Sequence, residues 1–269
     1  MSRKKRATPV EWLARAGYGA RGLVYIVIGV FAVMAASELR GRASGSNGAL
    51  LALARWPLGP LWLGLLAAGL CGFVLWRAAQ SLFDADHVGK SKKALAKRAG
   101  QALSALIYGA LAWSCLAAMD GIEDVREGES NAESFRTLLA LPYGEFLLSA
   151  LGVGVFVAGV LNVLHGLWGK FREHLTGDGD LHQWTVPLAR AGYFARGFVF
   201  LSLGFFLVEA AFDLAKVESA TLAGALQEIE RQPFGSLLVA MAGVGLAAFG
   251  LFGLVEARYR RIVVPKALR

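Results

Sequence analysis

The stretch Leu13-Ala-Arg-Ala-Gly-Tyr-Gly-Ala-Arg-Gly22 decides the fold, because the chain uses it again. It returns as Leu188-Ala-Arg-Ala-Gly-Tyr-Phe-Ala-Arg-Gly197, and a weaker copy runs from Lys97-Arg-Ala-Gly-Gln101 to Tyr108. Each copy leads directly into an apolar stretch. A segment that recurs in this way indicates one structural unit of about 85–90 residues, present three times. The repeat therefore predicts the architecture before any local pattern does.

Apolar residues are gathered into six segments that are long enough to cross a bilayer. The chain of 269 residues is 56% hydrophobic and only 18% charged, whereas soluble domains carry about a quarter charged residues. A helix needs about 20 apolar residues to cross the hydrocarbon core. The predicted spans, two in each repeat, lie near residues 17–37, 59–83, 99–119, 143–168, 191–212 and 235–257. The predicted fold class is all-α: an integral membrane protein of six transmembrane helices, built from three tandem two-helix repeats in a pseudo-threefold arrangement.

The repeats divide the chain into five predicted segments. These are a basic amino terminus, three membrane repeats and a basic tail, at residues 1–11, 12–86, 95–173, 187–258 and 259–269. Within each repeat a Pro-x-Gly step precedes the second helix: Pro57-Leu-Gly59, Pro142-Tyr-Gly144 and Pro233-Phe-Gly235. Because proline is tolerated in the first turn of a helix, each step is predicted to begin the second helix.

Short amphipathic helices are predicted just before each Pro-x-Gly step. The three stretches are residues 49–56, 132–141 and 221–232. In the last of them Leu222, Leu226 and Ile229 share one face at helical spacing. A helix with one apolar face is expected to lie along the membrane surface or to cap the bundle.

Positive charge falls almost entirely on one side of the predicted membrane. The formal net charge is +8, and 21 of the 28 Lys and Arg residues lie at the termini, in the loops 84–98 and 169–190, or near the helix ends on that side. The opposite side carries Arg40, Arg42, Arg55, Arg126, Arg136, Lys216 and Arg231. This positive-inside pattern predicts that both termini are cytoplasmic. It also explains the basic residues without a nucleic-acid partner. A cleaved signal peptide is excluded because the first span recurs in mid-chain.

The arrangement of the repeats resembles a known family. Three tandem two-helix units, each with a basic-Ala-Gly lead-in and a Pro-x-Gly return, resemble the bacterial membrane family called domain of unknown function 1206, from about Trp12 to Arg258. The resemblance implies a multi-pass protein of the bacterial inner membrane with threefold internal repetition. It implies no activity and no site residues. The middle copy departs from the lead-in, because Gln101 replaces the tyrosine and Ser104 replaces the second arginine.

Polar residues at membrane depth form the candidate site, since an ionisable group there is costly. Superposing the repeats places Arg77 level with Asn162, and His165 level with Glu256 one turn further along the helix. Threefold repetition would gather such residues around one axis near the cytoplasmic side. The candidates are Arg21, Arg77, Asn162, His165, Arg196 and Glu256.

Two interpretations of these candidates stay open. One is a polar site or gate in which Glu256 and His165 exchange protons and the arginines contact anions. The other is a set of helix-end residues that extend to headgroups or tie neighbouring helices together. Tyr18 and Tyr193 of the lead-in are predicted to anchor their helices at the interface. An anchor should recur in all three copies, so its absence from the middle copy keeps open a ligand near copies one and three.

Catalytic and metal-binding patterns are lacking in the sequence. It contains no Gly-x-Ser-x-Gly, His-Glu-x-x-His or Walker-type segment. We therefore predict that the protein is not an enzyme and holds no cofactor or metal. A loop cluster is predicted to be a solvated turn and not a cation site; its members are His174, Asp178, Asp180 and His182.

Two functions from different classes follow. The first is a structural or interaction protein of the membrane, whose partners are the lipid bilayer and either another membrane protein or a second copy of the chain. The alternative is a small-solute or ion transporter or channel, with a polar site on the pseudo-threefold axis near the cytoplasmic side. A transporter predicts a cavity lined by Arg77, Asn162, His165 and Glu256, whereas an axis filled with apolar side chains predicts a packing role.

Overall fold

Six long helices and two short ones build the part of the chain that the structure describes. The computed structural model describes residues 9–37, 54, 57–84, 89, 91–119, 129–169, 171 and 179–260. The helices are α1 Pro9–Ala36, α2 Gly59–Phe83, α3 Lys92–Met119, α4 Glu129–Leu139, α5 Gly144–Trp168, α6 Gly179–Phe212, α7 Leu222–Glu230 and α8 Gly235–Tyr259. All but α4 and α7 are long and apolar enough to span a membrane. The predicted all-α fold class with six spans is confirmed.

Three helices begin well before the apolar segments that predicted them. They are α1 at Pro9, α3 at Lys92 and α6 at Gly179. Hydropathy marks only the part of a helix that lies in hydrocarbon, and Ala, Leu, Arg and Lys continue a helix beyond it at little cost. Residues 179–190, predicted as part of a loop, are therefore helical, with Pro187 inside α6.

The short helices α4 and α7 stand where amphipathic stretches were predicted in the second and third repeats. In α7 the side chains of Leu226 and Ile229 are buried, so this helix packs onto the bundle. The corresponding stretch 49–56 of the first repeat lies almost wholly outside the described residues. Of the predicted terminal segments, residues 1–8 and 261–269 also lie outside them, whereas residues 9–11 belong to α1.

Each second helix begins with the same left-handed turn. Leu58, Tyr143 and Phe234 have φ angles of 61°, 67° and 62°, and the helix starts at the glycine that follows each of them. A Cβ atom on Gly144 would lie 2.7 Å from the Cα atom of Leu139, so only glycine permits this tight return. The prediction that the prolines stand in the first helical turn is wrong, because each lies two residues before its helix.

The six spans form a pseudo-threefold ring that is incomplete. The second helix of each repeat packs against the first helix of another: α2 on α3, α5 on α6, and α8 on α1. Inside the first and third repeats the two helices also pack on each other, α1 on α2 and α6 on α8. In the described part of the chain, α3 and α5 of the middle repeat form no such interface. The ring is therefore closed everywhere except between α3 and α5.

Glycine pairs set two of the contacts between repeats. They face each other across α1 and α8 and across α6 and α5: Gly22 with Gly250, Gly29 with Gly243, Gly197 with Gly159, and Gly204 with Gly152. A Cβ atom on Gly22 would lie 2.6 Å from the carbonyl oxygen of Gly250. In each helix the two glycines are seven residues apart, about two turns, and so share one face. Such close backbone approach is how membrane helices associate.

Candidate functional site

A buried ion-pair network joins α1 to the end of α8. The Nη2 atom of Arg21 donates a hydrogen bond to Oε2 of Glu256 at 2.6 Å, and both side chains are only 4% exposed. Arg260, the residue after α8, donates to Oε1 of the same carboxylate. Glu256 therefore has both oxygens engaged by guanidinium groups, which is the strongest kind of hydrogen bonding available to a carboxylate.

Two phenylalanine rings bring the three predicted arginines together. The guanidinium carbon of Arg21 lies 5.3 Å from the ring centre of Phe73 and 5.1 Å from that of Phe249. Arg77 lies 5.0 Å from the Phe73 ring, and Arg196 lies 4.9 Å from the Phe249 ring. Arg21 thus shares one ring with each of the other two. Each such cation–π contact stabilises by about 0.5–2 kcal/mol, more when it is desolvated.

Glycines of the repeated lead-in position these rings. A Cβ atom on Gly17 would lie 2.5 Å from the Cα atom of Phe73, and one on Gly192 would lie 2.5 Å from the Cα atom of Phe249. The two pairs occupy the same positions in the first and third repeats. The Ala-Gly-Tyr part of the lead-in therefore lets the backbones of α2 and α8 approach α1 and α6 closely enough to place a ring beside each arginine.

The lead-in tyrosines belong to the same cluster. Tyr18 is 1% exposed and packs edge-on against Phe73, with Arg260 over its ring at 4.8 Å. Tyr193 packs edge-on against Phe249 with ring centres 5.1 Å apart. The predicted role of Tyr18 as an interfacial anchor is wrong, because its ring faces protein instead of headgroups.

Aromatic side chains of the three repeats also lie beside the arginines at this level. Tyr25, Tyr108 and Phe200 hold equivalent positions in the three repeats. The hydroxyl groups of Tyr25 and Tyr108 are 3.5 Å apart, and Arg196 lies 4.7 Å from the Phe200 ring. An apolar pocket of about 460 Å³ lies elsewhere, lined by residues of α1 and α8 and by Leu188 of α6, and none of the six candidate residues lines it.

Positive charge exceeds negative charge in the cluster. The cluster holds four guanidinium groups, those of Arg21, Arg77, Arg196 and Arg260, and one carboxylate, that of Glu256, which pairs with Arg21 and Arg260. No carboxylate of the described residues lies within ion-pair distance of Arg77 or Arg196. Within the same part of the chain, the buried Nε atoms of Arg21, Arg77 and Arg196 have no acceptor. The side chains of Arg77 and Arg196 are half-buried, and Arg77 also donates to Oε1 of Gln80 at 3.2 Å. Uncompensated positive charge at membrane depth is costly, so this arrangement favours binding of an anion.

The repeats explain why Arg196 lacks a carboxylate. Arg196 holds the position in the third repeat that Arg21 holds in the first, and α5 crosses α6 with the same glycine pairing as α8 and α1. At the position of Glu256, however, the second helix of the middle repeat carries His165. The imidazole supplies no negative charge, so the counterpart of the Arg21–Glu256 pair is not formed.

Asn162 and His165 lie beside the cluster, on α5. The Nδ2 atom of Asn162 donates to the carbonyl oxygen of Ala158 in its own helix at 2.7 Å. His165 is exposed and packs edge-on against Tyr193 and Phe171, with ring centres 4.7 Å and 5.0 Å apart. The structure therefore brings together Arg21, Arg77, Arg196 and Glu256, whereas no described contact joins Asn162 or His165 to these four side chains.

Sequence reasoning did not identify Phe73, Phe249 or Arg260. One pattern in the sequence could have identified the two phenylalanines. The first and third repeats carry phenylalanine where the middle repeat has Ala158, and the middle repeat is also the one in which Ser104 replaces the lead-in arginine. Arg260 follows Glu256 at the four-residue spacing that favours ion pairs on a helix. The side chains of the predicted loop cluster around His174 lie outside the described residues.

Comparison with known proteins agrees with this architecture. The family Domain of Unknown Function (DUF1206) matches the chain three times, at residues 16–84, 99–169 and 191–260. The chain is also similar to the uncharacterized protein YxxB of Bacillus subtilis (strain 168), with 31% identity over 271 residues that cover 99% of this chain and 98% of that protein. No solved structure matches the chain. The predicted resemblance is confirmed, and the chain belongs to the family Domain of Unknown Function (DUF1206).

Proposed function

We propose that this protein binds an oxyanion within the membrane at the arginine cluster, defined as Arg21, Arg77, Arg196 and Arg260. One observation carries the proposal: four guanidinium groups lie in one cluster inside a helical bundle with a single carboxylate, which pairs with only two of them, Arg21 and Arg260. We propose binding without catalysis, since the site holds no nucleophile paired with a base. This deepens the alternative of a polar site near the cytoplasmic side, without requiring a pore along the axis.

The chemistry of the free donors favours an oxyanion. The guanidinium group presents Nε–H and Nη–H in a planar fork that matches two oxygens of a phosphate, sulfate or carboxylate. Three such forks keep a buried Nε–H without an acceptor among the described residues. A spherical halide cannot engage two donors of one fork as well as a pair of oxygens can.

A purely structural role explains less of the cluster. Helix packing is already accounted for by the glycine crossings and by the Arg21–Glu256 pair. Neither of these needs Arg77 or Arg196. Extension of the side chains to headgroups does not explain them either, because the two Nε atoms are buried in protein and the guanidinium groups lie over Phe73 and Phe249.

We further propose a location for the site from the charge pattern. The arginine cluster lies in the half of the bundle where α2, α5 and α8 end, the same side that carries most Lys and Arg residues. The positive-inside rule makes this the cytoplasmic side and makes both termini cytoplasmic. With the bacterial relative, this supports placement in a bacterial inner membrane.

Phosphate is expected to stabilise the lipid-depleted protein in neutral detergent. At a concentration one hundred times its Kd, a ligand that binds only the folded state adds about 2.7 kcal/mol, which raises Tm by several degrees. Sodium phosphate should therefore raise Tm above that in sodium chloride of equal ionic strength. Arg196→Gln should lose the phosphate-dependent rise, while Arg136→Gln, whose side chain is 54% exposed at the opposite end, should keep it. Equal Tm values of wild type in the two salts would contradict the proposal.

A carboxylate introduced at position 165 is expected to take the place of the bound oxyanion. In His165→Glu the new side chain occupies the position toward Arg196 that Glu256 occupies toward Arg21. We expect Tm to rise without phosphate, by a stabilisation of about 2 kcal/mol for a charged hydrogen bond, and the phosphate response to shrink. His165→Gln, which adds no charge, is the matched control and should keep the response. A full phosphate response in His165→Glu, with Tm unchanged, would show that Arg196 does not need an anion.

A further inference from the structure

We infer that the oxyanion is the headgroup of an anionic phospholipid, which reaches the arginine cluster sideways through the unclosed interface between α3 and α5. This inference rests on the proposed function and names its ligand class. It is carried by the break in the pseudo-threefold ring, which no other interface of the bundle shows among the described residues.

The face of α3 that should meet α5 is uncovered. In the first and third repeats the corresponding stripe is buried: Gly17, Ala20 and Val24 in α1, and Gly192, Ala195 and Val199 in α6. The same positions in α3 are exposed, with Leu103 at 42% and Ile107 at 55%. No described atom lies within 4 Å of a Cβ atom placed on Gly100 of this stripe. Within the described residues, the lead-in face of the middle repeat therefore has no helix packed against it.

The matching face of α5 is uncovered as well. Its counterparts are buried in the other repeats: Gly69, Phe73, Trp76 and Gln80 in α2, and Gly245, Phe249, Phe252 and Glu256 in α8. In α5 these positions are Gly154, Ala158, Leu161 and His165, of which only Ala158 is even half-buried. No described atom comes within 4 Å of a Cβ atom placed on Gly154.

We call these two uncovered stripes the seam; its residues are Gly100, Leu103 and Ile107 on α3 and Gly154, Leu161 and His165 on α5. Only 17% of the apolar window is buried in each of α3 and α5, against 44–50% in α1, α2 and α8. The middle repeat lacks both the phenylalanine and the second arginine that fill this interface elsewhere, since Ala158 and Ser104 replace them. These two replacements in the middle repeat therefore account for the opening between α3 and α5.

The seam connects the lipid-facing surface to the arginine cluster. Its apolar residues match an acyl chain, and His165 lies at its basic end against Tyr193 at 4.7 Å. Tyr193 packs on the Phe249 ring at 5.1 Å, and Arg196 lies over that same ring at 4.9 Å. The basic end of the seam and Arg196, which lacks a carboxylate, therefore adjoin one continuous set of aromatic rings.

Charge decides between a lipid and a second copy of the chain as the occupant. The occupant must fill an apolar groove and also supply negative charge at its basic end. A twofold-related copy would present the same six seam residues, none of which is acidic. An anionic phospholipid carries an acyl chain and a phosphodiester in one molecule, so it satisfies both requirements.

Lipid retention and phosphate response measured on the same variants test this inference. Native mass spectrometry of protein purified from mixed phosphatidylglycerol and phosphatidylcholine should show one retained phosphatidylglycerol per chain, favoured about tenfold, or about 1.4 kcal/mol. Gly154→Leu, which fills the seam, should lower this retention at least several-fold while the phosphate-dependent rise in Tm persists. Val153→Phe, which adds bulk on an exposed neighbour outside the seam, is the control and should change neither. Arg196→Gln should lose both.

Each other outcome has a definite meaning. A wild-type protein that responds to phosphate but does not prefer phosphatidylglycerol would overturn the headgroup and leave the proposed function standing. A protein that shows neither response would overturn both. Unchanged lipid retention in Gly154→Leu would overturn entry through the seam. A dimer that Gly154→Leu disperses would show that a second copy covers the seam instead.

Discussion

Glu256→Gln is expected to destabilise the protein by about 3–5 kcal/mol, the cost of leaving buried charge without its partner. Two guanidinium groups depend on this one carboxylate, Arg21 at 2.6 Å and Arg260 through the other oxygen. The substitution keeps the shape of the side chain and removes only the charge, so lost packing cannot account for the loss. The free energy of unfolding, measured by denaturant titration in detergent micelles, gives the size of the effect.

A double variant separates the ion pair from general damage. Arg21→Gln combined with Glu256→Gln removes both members of the buried pair, and should recover part of the stability lost in Glu256→Gln alone. Arg260→Gln leaves the pair of Arg21 and Glu256 intact. It should lower the free energy of unfolding less than Glu256→Gln does, because Arg260 is partly exposed. Phosphate should protect Glu256→Gln more strongly than wild type, since the excess positive charge is larger. Wild-type stability in Glu256→Gln would mean that the cluster is not held by charge.

Gly17→Ala and Gly100→Ala are expected to have very different effects on stability, although the two glycines hold the same position in the repeat. A Cβ atom on Gly17 would lie 2.5 Å from the Cα atom of Phe73, so α1 and α2 must separate, at a cost of about 3 kcal/mol. A Cβ atom on Gly100 meets no described atom within 4 Å, and alanine favours the helix by up to about 1 kcal/mol. Tm values of the two variants and the wild type, measured by thermal unfolding in the same detergent, test this difference.

The third equivalent glycine supplies the control. Gly192 lies against the backbone of Phe249 as Gly17 lies against Phe73, so Gly192→Ala should match Gly17→Ala in its loss of Tm. Both variants should also weaken the phosphate response, because they displace the rings that hold Arg21, Arg77 and Arg196. If Gly100→Ala lost as much stability as the other two, α3 and α5 would be closed in solution and the seam would not exist.

The membrane spans were predictable because each one is determined by the apolar residues within its own segment. A run of about 20 apolar residues must become a helix in hydrocarbon, since every backbone polar group has to be satisfied within the segment. The second helix at 59–83 was placed correctly to the residue. The starts of α3 and α6 were missed because hydropathy does not report where a helix continues into water.

The site was predictable only where one repeat supplies the information. Superposing the repeats predicted that Arg77 and Glu256 lie within one helical turn of each other in depth, with Arg196 at a similar depth, and the structure places these three residues in one cluster. It could not show that Glu256 serves Arg21, because that pair crosses between the third repeat and the first. It also grouped Asn162 and His165 with the others, since superposition assumes a closed ring. The ring opens at the middle repeat, where Gln101 and Ser104 replace the tyrosine and arginine of the other copies and Ala158 replaces the phenylalanine. The first two replacements were visible in the sequence, but their structural meaning was not.

The central claim is that an oxyanion binds among the guanidinium groups of the arginine cluster. Crystals of the protein grown with sodium selenate allow the anion to be located by the anomalous scattering of selenium. We expect one anomalous peak bounded by Arg21, Arg77 and Arg196, with oxygen atoms about 2.7–2.9 Å from their nitrogen atoms. A map with no peak there, in which Arg77 and Arg196 extend out of the bundle toward the headgroup region, would contradict the account.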